Sequence, residues 1–383
     1  MKPNLLKRQN LFQKNTLDKT MEAMDSKQRI KLATNHREPD KVPAHMNATK
    51  WVVAKLKKAL DVTTDKELLK SLHIDIYDMR GIDLNSGTVP KYIGPENELF
   101  TNWKGGIFSF WNMREFENKT DAGWTMEAPP PPLSNALSKE ECEKYLWPDN
   151  NWFDYSNLRK ELEEWNDFSI MASGASVFQH ATYIRGMDTL MMDMMANPDM
   201  AHYILGKISS FYYEYYRRMF EEAGDLIDIF ALADDLGMQN TLLISPELFE
   251  EYVAPLLKKM AELAHKHNIK LLLHTCGDIE LLIPHFIELG VDILDPIQPE
   301  SMNPLEIKEK YGQQITLRGG ISVQDVVSRG TIEEVKTETQ RIVEALKSGG
   351  GYIFSPGHPV LQDDIPVENI ITMYKTGYKF GKY

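Results

Sequence analysis

The sequence predicts an α/β fold closed into a (β/α)8 barrel of the TIM type, and three observations carry that expectation. Strand-like and helix-like segments alternate at short intervals from about residue 165 onward. Repeated β-α units imply parallel strands joined by right-handed crossovers, in an open sheet or a closed barrel. Successive strand segments also begin apolar and end polar, at Asp234 and Asp235, His274 and Cys276, Asp295 and Gln298, Arg318, then Ser355 and His358. In an open sheet only the strand ends near the switch point line a crevice, whereas in a barrel all of them converge on one mouth. Five polar ends in a row therefore favour the barrel. Finally, no Gly-x-Gly-x-x-Gly or P-loop pattern follows a strand, so nucleotide binding has no support.

The first element in order, "MKPNLLKRQNLFQKNTLDKT", is rich in Lys and Arg and lacks a continuous apolar run. We read residues 1–27 as an N-terminal arm or oligomer contact and residues 28–383 as one barrel domain. The stretch "GTVPKYIGPENELFTNWKGGIFSFWNMREF" is dense in aromatic and turn residues. It predicts a β insertion over about 85–150 carrying Trp103, Phe108, Phe110 and Trp111. "APPPPLSNALSKEE" follows as an extended connection whose "SKEE" offers a helix cap with acid in the first turn. "FSIMASGA" then reads as a strand and about 185–223 as a long helical stretch. After it come strand "DLIDIFALADDLG", capped helix "SPELFEEYVAPLLKKMAELAHKHN" and strand "IKLLLHTCGD". Three further helix-strand pairs end in "VDILDPIQ", "QITLRGG" and "GYIFSPGHPV".

Composition limits the function classes. A chain of 383 residues with 42% hydrophobic content can bury a large core. Two cysteines, Cys142 and Cys276, make no disulfide framework, so a cytoplasmic setting is expected. No stretch approaches the roughly 18–20 apolar residues of a membrane span. The formal charge of -13 argues against broad nucleic-acid binding, which leaves a small molecule or another protein as partner.

The chemistry concentrates at "LLLHTCGD". Side chains alternate faces along a strand, so His274 and Cys276 point the same way and Thr275 the other. One ion could be gripped by both. Imidazole with thiolate suits zinc better than magnesium or calcium.

Five segments together carry a family resemblance beyond this local pattern. They are "NHREPDKVP", "ADDLGMQNTLLISPELFEEYVAPLLKKM", "HTCGDIELLIPHFIELGVDILDPIQ", "RGGISVQDVVSRGTIEEV" and "GGGYIFSPGHPVLQDDIPVENI". From about residue 28 to the C-terminus the chain resembles the uroporphyrinogen decarboxylase-like superfamily. That resemblance implies a (β/α)8 barrel with its site at the C-terminal mouth, and two chemistries. Decarboxylases of the family carry an Arg-Gln-Ala-Gly-Arg stretch after the first "VP". Here the chain reads "VPAHMNATKWVV", and a polyanionic tetrapyrrole would meet no cationic cradle. The corrinoid-linked methyltransferase branch has a His-x-Cys on a barrel strand and a late ligand in the last "PG-x" turn, where this chain has His358 instead of the usual cysteine.

The resemblance thus implies a zinc-dependent methyltransferase with His274, Cys276 and His358 as metal ligands. Asp235, His358 and Gln298 are the expected catalytic residues, with Asp234 or Asp235 a possible further ligand. His180, Arg185, Asp234, Arg318, Asn47 and Trp103 are the expected substrate contacts, the arginines for a carboxylate and Trp103 for stacking on a ring. The methyl group would pass between a small substrate, a methoxylated aromatic in an O-demethylation, and a corrinoid (cobalamin) carried by a separate protein. This chain has no Asp-x-His-x-x-Gly module of its own. The alternatives are a metal-free decarboxylase or lyase acting on a carboxylic acid, and a non-catalytic barrel subunit. A homodimer is compatible with all three.

Overall fold

A computed structural model describes residues 24–84, 86–95, 111, 114–117, 124–127, 130–358 and 360–383, with backbone only at 114–117 and 124–127. Seven parallel strands form one curled sheet in chain order: β1 (Ile76–Asp78), β6 (Ser169–Ala175), β7 (Ile227–Ala233), β8 (Lys270–His274), β9 (Ile293–Ile297), β10 (Thr316–Ile321) and β11 (Tyr352–Pro356). Closure comes from residues 43–48. His45 N donates to Phe354 O and Phe354 N to Pro43 O on one side, while Asp75 N and Ile76 N donate to Ala44 O on the other. This segment fills the eighth stave between β11 and β1, as the strand-end pattern predicts.

The alternation of each strand sorts two cores. Ile76, Met171, Ile229, Ala231, Leu272, Ile293 and Ile353 meet inside the barrel, while their neighbours pack outward against the helices. Ile30, on helix Ser26–Ala33, joins the inner cluster and plugs it from the N-terminal end. Asp25 caps that helix in a capping box with Gln28, so the chain is already ordered within the last residues assigned to the arm. Residues 1–23 of the arm lie outside the described residues.

One difference from the sequence reading has local causes. The single helical stretch of about 185–223 is broken into Phe178–Arg185, Met187–Ala196 and Pro198–Ala223. Gly186 takes φ +90° at the first break, and proline at the start of the third helix cannot continue the second. In the insertion, β3 (Arg114–Glu117) and β4 (Trp124–Glu127) form an antiparallel pair. Trp103, Phe108 and Phe110 lie outside the described residues. Trp111 is buried and donates its indole N–H to Tyr212 Oη at 2.6 Å, so it anchors the insertion to the core. Two short strands, β2 (Lys91–Tyr92) and β5 (Phe153–Asp154), pair antiparallel beside it.

Candidate metal centre at the barrel mouth

Two to four residues beyond the apolar inner positions, the side chains facing the barrel interior turn polar. Leu272 is followed by His274 and Cys276, Ile293 by Asp295, Ala231 by Ala233 and Asp235. Asp235, His274 and Cys276 thereby bring a carboxylate oxygen, an imidazole nitrogen and a sulfur within 4.8 Å of one another. His274 Nε2 lies 3.6 Å from Cys276 Sγ and 3.8 Å from Asp235 Oδ1.

Each of the three is held from behind. His274 Nδ1 is 2.7 Å from Asp295 Oδ2, which fixes the ring with Nε2 toward the sulfur. Asp295 in turn lies against Arg318, whose Nε is 2.9 Å from Oδ1 in a charge contact that is not a hydrogen bond. Asp235 Oδ1 accepts from Cys276 N at 3.0 Å, and its Oδ2 accepts from Gln179 Nε2 at 3.2 Å. Gly277 turns the chain after Cys276 at φ +89° and donates its N–H to Gln298 Oε1 at 3.1 Å.

Electrostatics suit a cation. Burial alone would lower the His274 pKa, yet the Cys276 sulfur and the Asp295 carboxylate raise it well above the ordinary imidazole value. A positive charge is thus favoured at the point where Nε2 faces the group. Asp295 is held below the ordinary carboxylate value because Arg318 and His274 outweigh its burial.

The donor set fits zinc. Imidazole, thiolate and carboxylate are all zinc ligands, and three protein ligands with one open position describe a catalytic site. Tetrahedral zinc at ordinary bond lengths separates its nitrogen and sulfur ligands by about 3.6 Å, and His274 Nε2 to Cys276 Sγ spans the same 3.6 Å.

The other expected residues fall into three groups. Asp234 faces away from the interior, buried, and accepts from Ser176 Oγ, Val177 N and Gln179 N at 2.8–3.0 Å. It secures the start of helix Phe178–Arg185 and contacts no substrate space. Arg185 is corrected likewise: it is buried on Asp193 at 2.7 Å and on the carbonyls of Leu133 and Ala136, its charge spent inside the fold. His180 is fully buried, stacks on Trp111 and has Nδ1 2.9 Å from Tyr212 Oη, with burial pushing its pKa down to about 3. It is a core histidine. His358 stands outside the three-residue donor group. Its Nδ1 is 3.1 Å from Val360 O, and the residue is exposed in the turn that follows β11. With Gln298 it lines a cleft of about 250 Å³ at the same mouth.

Asn47 and Arg318 do face the interior. Asn47 Nδ2 donates to Asp78 Oδ2 at 3.2 Å, and Asp78 also holds Arg80 and Ser173. Trp103 lies outside the described residues. Sequence reasoning missed Asp295 as the partner of His274. The signal was present in "VDILDPIQ", where Asp295 sits two positions after Ile293 on the inner face.

The uroporphyrinogen decarboxylase (URO-D) family profile matches residues 156–380, more than half of the chain. The chain belongs to the uroporphyrinogen decarboxylase family. Among curated relatives, a methylated-thiol–coenzyme M methyltransferase of Methanosarcina mazei is 24% identical over 166 residues, 43% of this chain and 42% of that protein. Uroporphyrinogen decarboxylases of Sulfurimonas denitrificans and Aliarcobacter butzleri are 24% and 27% identical, each over 49% of this chain and 51% of their own. The chain thus spans about half the length of the curated relatives it matches. A solved methyltransferase from Methanosarcina mazei superposes with a TM-score of 0.63 at 17% identity, covering 93% of this chain and 99% of that one. Its fold is the fold of this family member.

Proposed function

We propose that this uroporphyrinogen decarboxylase family member is a zinc-dependent methyltransferase that moves a methyl group between a small substrate and a corrinoid carried by a partner protein. The observation that carries the reading is the Asp235–His274–Cys276 group with Asp295 behind it. Asp235, His274 and Cys276 would hold the ion, Asp295 orients His274, and Gln298 fixes the turn that presents Cys276. Bound zinc supplies Lewis acidity for the heteroatom that gives up or accepts the methyl group. The methyltransferase relative, whose name specifies a methylated thiol, supports the reaction class. For the substrate we favour a methoxylated aromatic compound. His358 and Gln298, on the rim cleft, are placed to contact it or to shuttle a proton. His358 as a further ligand requires its ring to leave Val360.

The decarboxylase reading has its own support in the relatives that bear that name. Against it stands the stretch "VPAHMNATKWVV", which has no arginine where the decarboxylase pattern runs Arg-Gln-Ala-Gly-Arg. Arg80, the nearby cation, is committed to Asp78 and Ser173. The deciding experiment is reconstitution with a corrinoid protein and a panel of methyl donors, read as the visible spectral change of cob(I)alamin on methylation. Transfer from an aryl methyl ether supports the full proposal. Activity on small aliphatic donors alone removes the aromatic substrate, and carbon dioxide release from an acid without methyl transfer removes the methyltransferase.

A further inference from the structure

His45 lies on the closing stave with its ring inside the barrel. Ala44, its neighbour, bridges Phe354 in parallel, and both belong to the outward-facing core. Residues 45 and 47 must then face inward, as Asn47 shows by reaching Asp78. The His45 ring is fully buried, and neither of its nitrogens has a hydrogen-bond partner among the described residues. A buried polar group without a partner keeps the cost of leaving water and gains no hydrogen bond in return. Its persistence in a barrel interior points to a partner that arrives from outside.

The surrounding orphans give that partner its chemistry. Arg318 reaches the interior from β10, two staves away, with its side chain 3% exposed. It meets Asp295 through Nε, as a charge contact that leaves this N–H without a hydrogen-bond partner among the described residues. Asn47 Oδ1 also lacks a partner. The charged groups that act most on His45 are two cations, Arg318 and Arg80, which together with burial keep its imidazole well below the ordinary pKa. An imidazole N–H and a guanidinium with an unpartnered N–H, in a positive local potential, match a carboxylate. This wall stands apart from Cys276 and Asp235, which come from β8 and the end of β7.

We propose that His45 and Arg318 form a carboxylate subsite, so that the methyl donor or acceptor is a small acid held by its carboxylate on this wall with its heteroatom toward Asp235, His274 and Cys276. The subsite rests on the methyltransferase reading for the other end of the molecule, but its test does not. Benzoate and its neutral isostere benzamide are titrated by calorimetry into the wild-type protein, His45→Leu and His45→Gln. Wild type is expected to bind benzoate at least about tenfold more tightly than benzamide. His45→Leu removes that preference without weakening benzamide, and His45→Gln, which keeps a donor, retains it within about threefold. Because leucine replaces an unpartnered polar ring, His45→Leu is also expected to unfold at the same temperature or higher. Equal affinity of wild type for both probes overturns the subsite. So does a leucine variant that loses thermal stability and binds both probes less well, which would mark His45 as structural. Failure of every methyl donor in reconstitution leaves the benzoate result standing, so the two readings fail separately.

Discussion

Asp295 shows most clearly what one residue decides at the centre. It is buried between His274 and Arg318 and touches no open space, so its effect passes through the ring it orients. Partners of metal-bound histidines typically change metal affinity about 10–100-fold. Asp295→Asn is therefore expected to weaken zinc binding by about that factor while leaving the three ligands in place. Competition against a chelator of known affinity measures it, and an unchanged zinc affinity would detach Asp295 from the centre. The paired aspartates of "LADDLG" were ambiguous in sequence because either could be turned inward. The strand's period, set by Ile229 and Ala231, faces Asp235 toward the interior and leaves Asp234 to the helix.

At the scale of elements, the strand ends were legible and the turns after them were not. His274, Cys276 and Arg318 could be placed on the inner face because period two is a property of the strand itself. His358 could not, since it follows Gly357 in a turn where no period applies, and the same holds for the break at Gly186. Arg185 was misread for another reason. An arginine can hold a substrate carboxylate as readily as a structural one, and Asp193, two turns along the next helix, holds Arg185 inside. The turn at Gly277 is tightly packed as well as left-handed: a β-carbon there would meet Gly237 and Met238 backbone at 2.5–2.6 Å. Gly277→Ala is expected to cost about 1–3 kcal/mol, seen in denaturant unfolding, and to lower zinc occupancy by displacing Cys276. On helix Pro198–Ala223, Arg217 first and Arg218 second hold Glu214 down at about 2 despite partial burial. A carboxylate depressed in the folded state stabilises above its ordinary pKa and loses that contribution as pH falls toward 2. Glu214→Gln should cost about 1 kcal/mol or less near neutrality, after solvent screening, and should flatten the acid limb of the stability profile between about pH 4.5 and 2.

For the whole molecule, the barrel divides stability from chemistry along its axis. Ile30 and the apolar inner ring close the N-terminal end, and the polar layer above them carries the metal group and the His45–Arg318 wall. Ile30→Ala is expected to cost about 2–4 kcal/mol of unfolding free energy, with zinc content unchanged, because the cavity opens far from the ligands. Strand order and the polar mouth were readable from the sequence because each depends on short-range periodicity. The inner-face position of Asp295 and the closure itself were readable in the same way, whereas the pairing of Asp295 with His274 and the choice of residues 43–48 as the closing stave depend on contacts between distant segments. The central claim is that methyl transfer runs through the zinc held by Asp235, His274 and Cys276. Its most direct test is the rate of cob(I)alamin methylation by the reconstituted protein, zinc-loaded and then stripped by chelator. The account predicts near one zinc per chain, loss of transfer on stripping, and recovery on zinc addition in wild type but not in Cys276→Ser. Full transfer by the metal-stripped protein would contradict it.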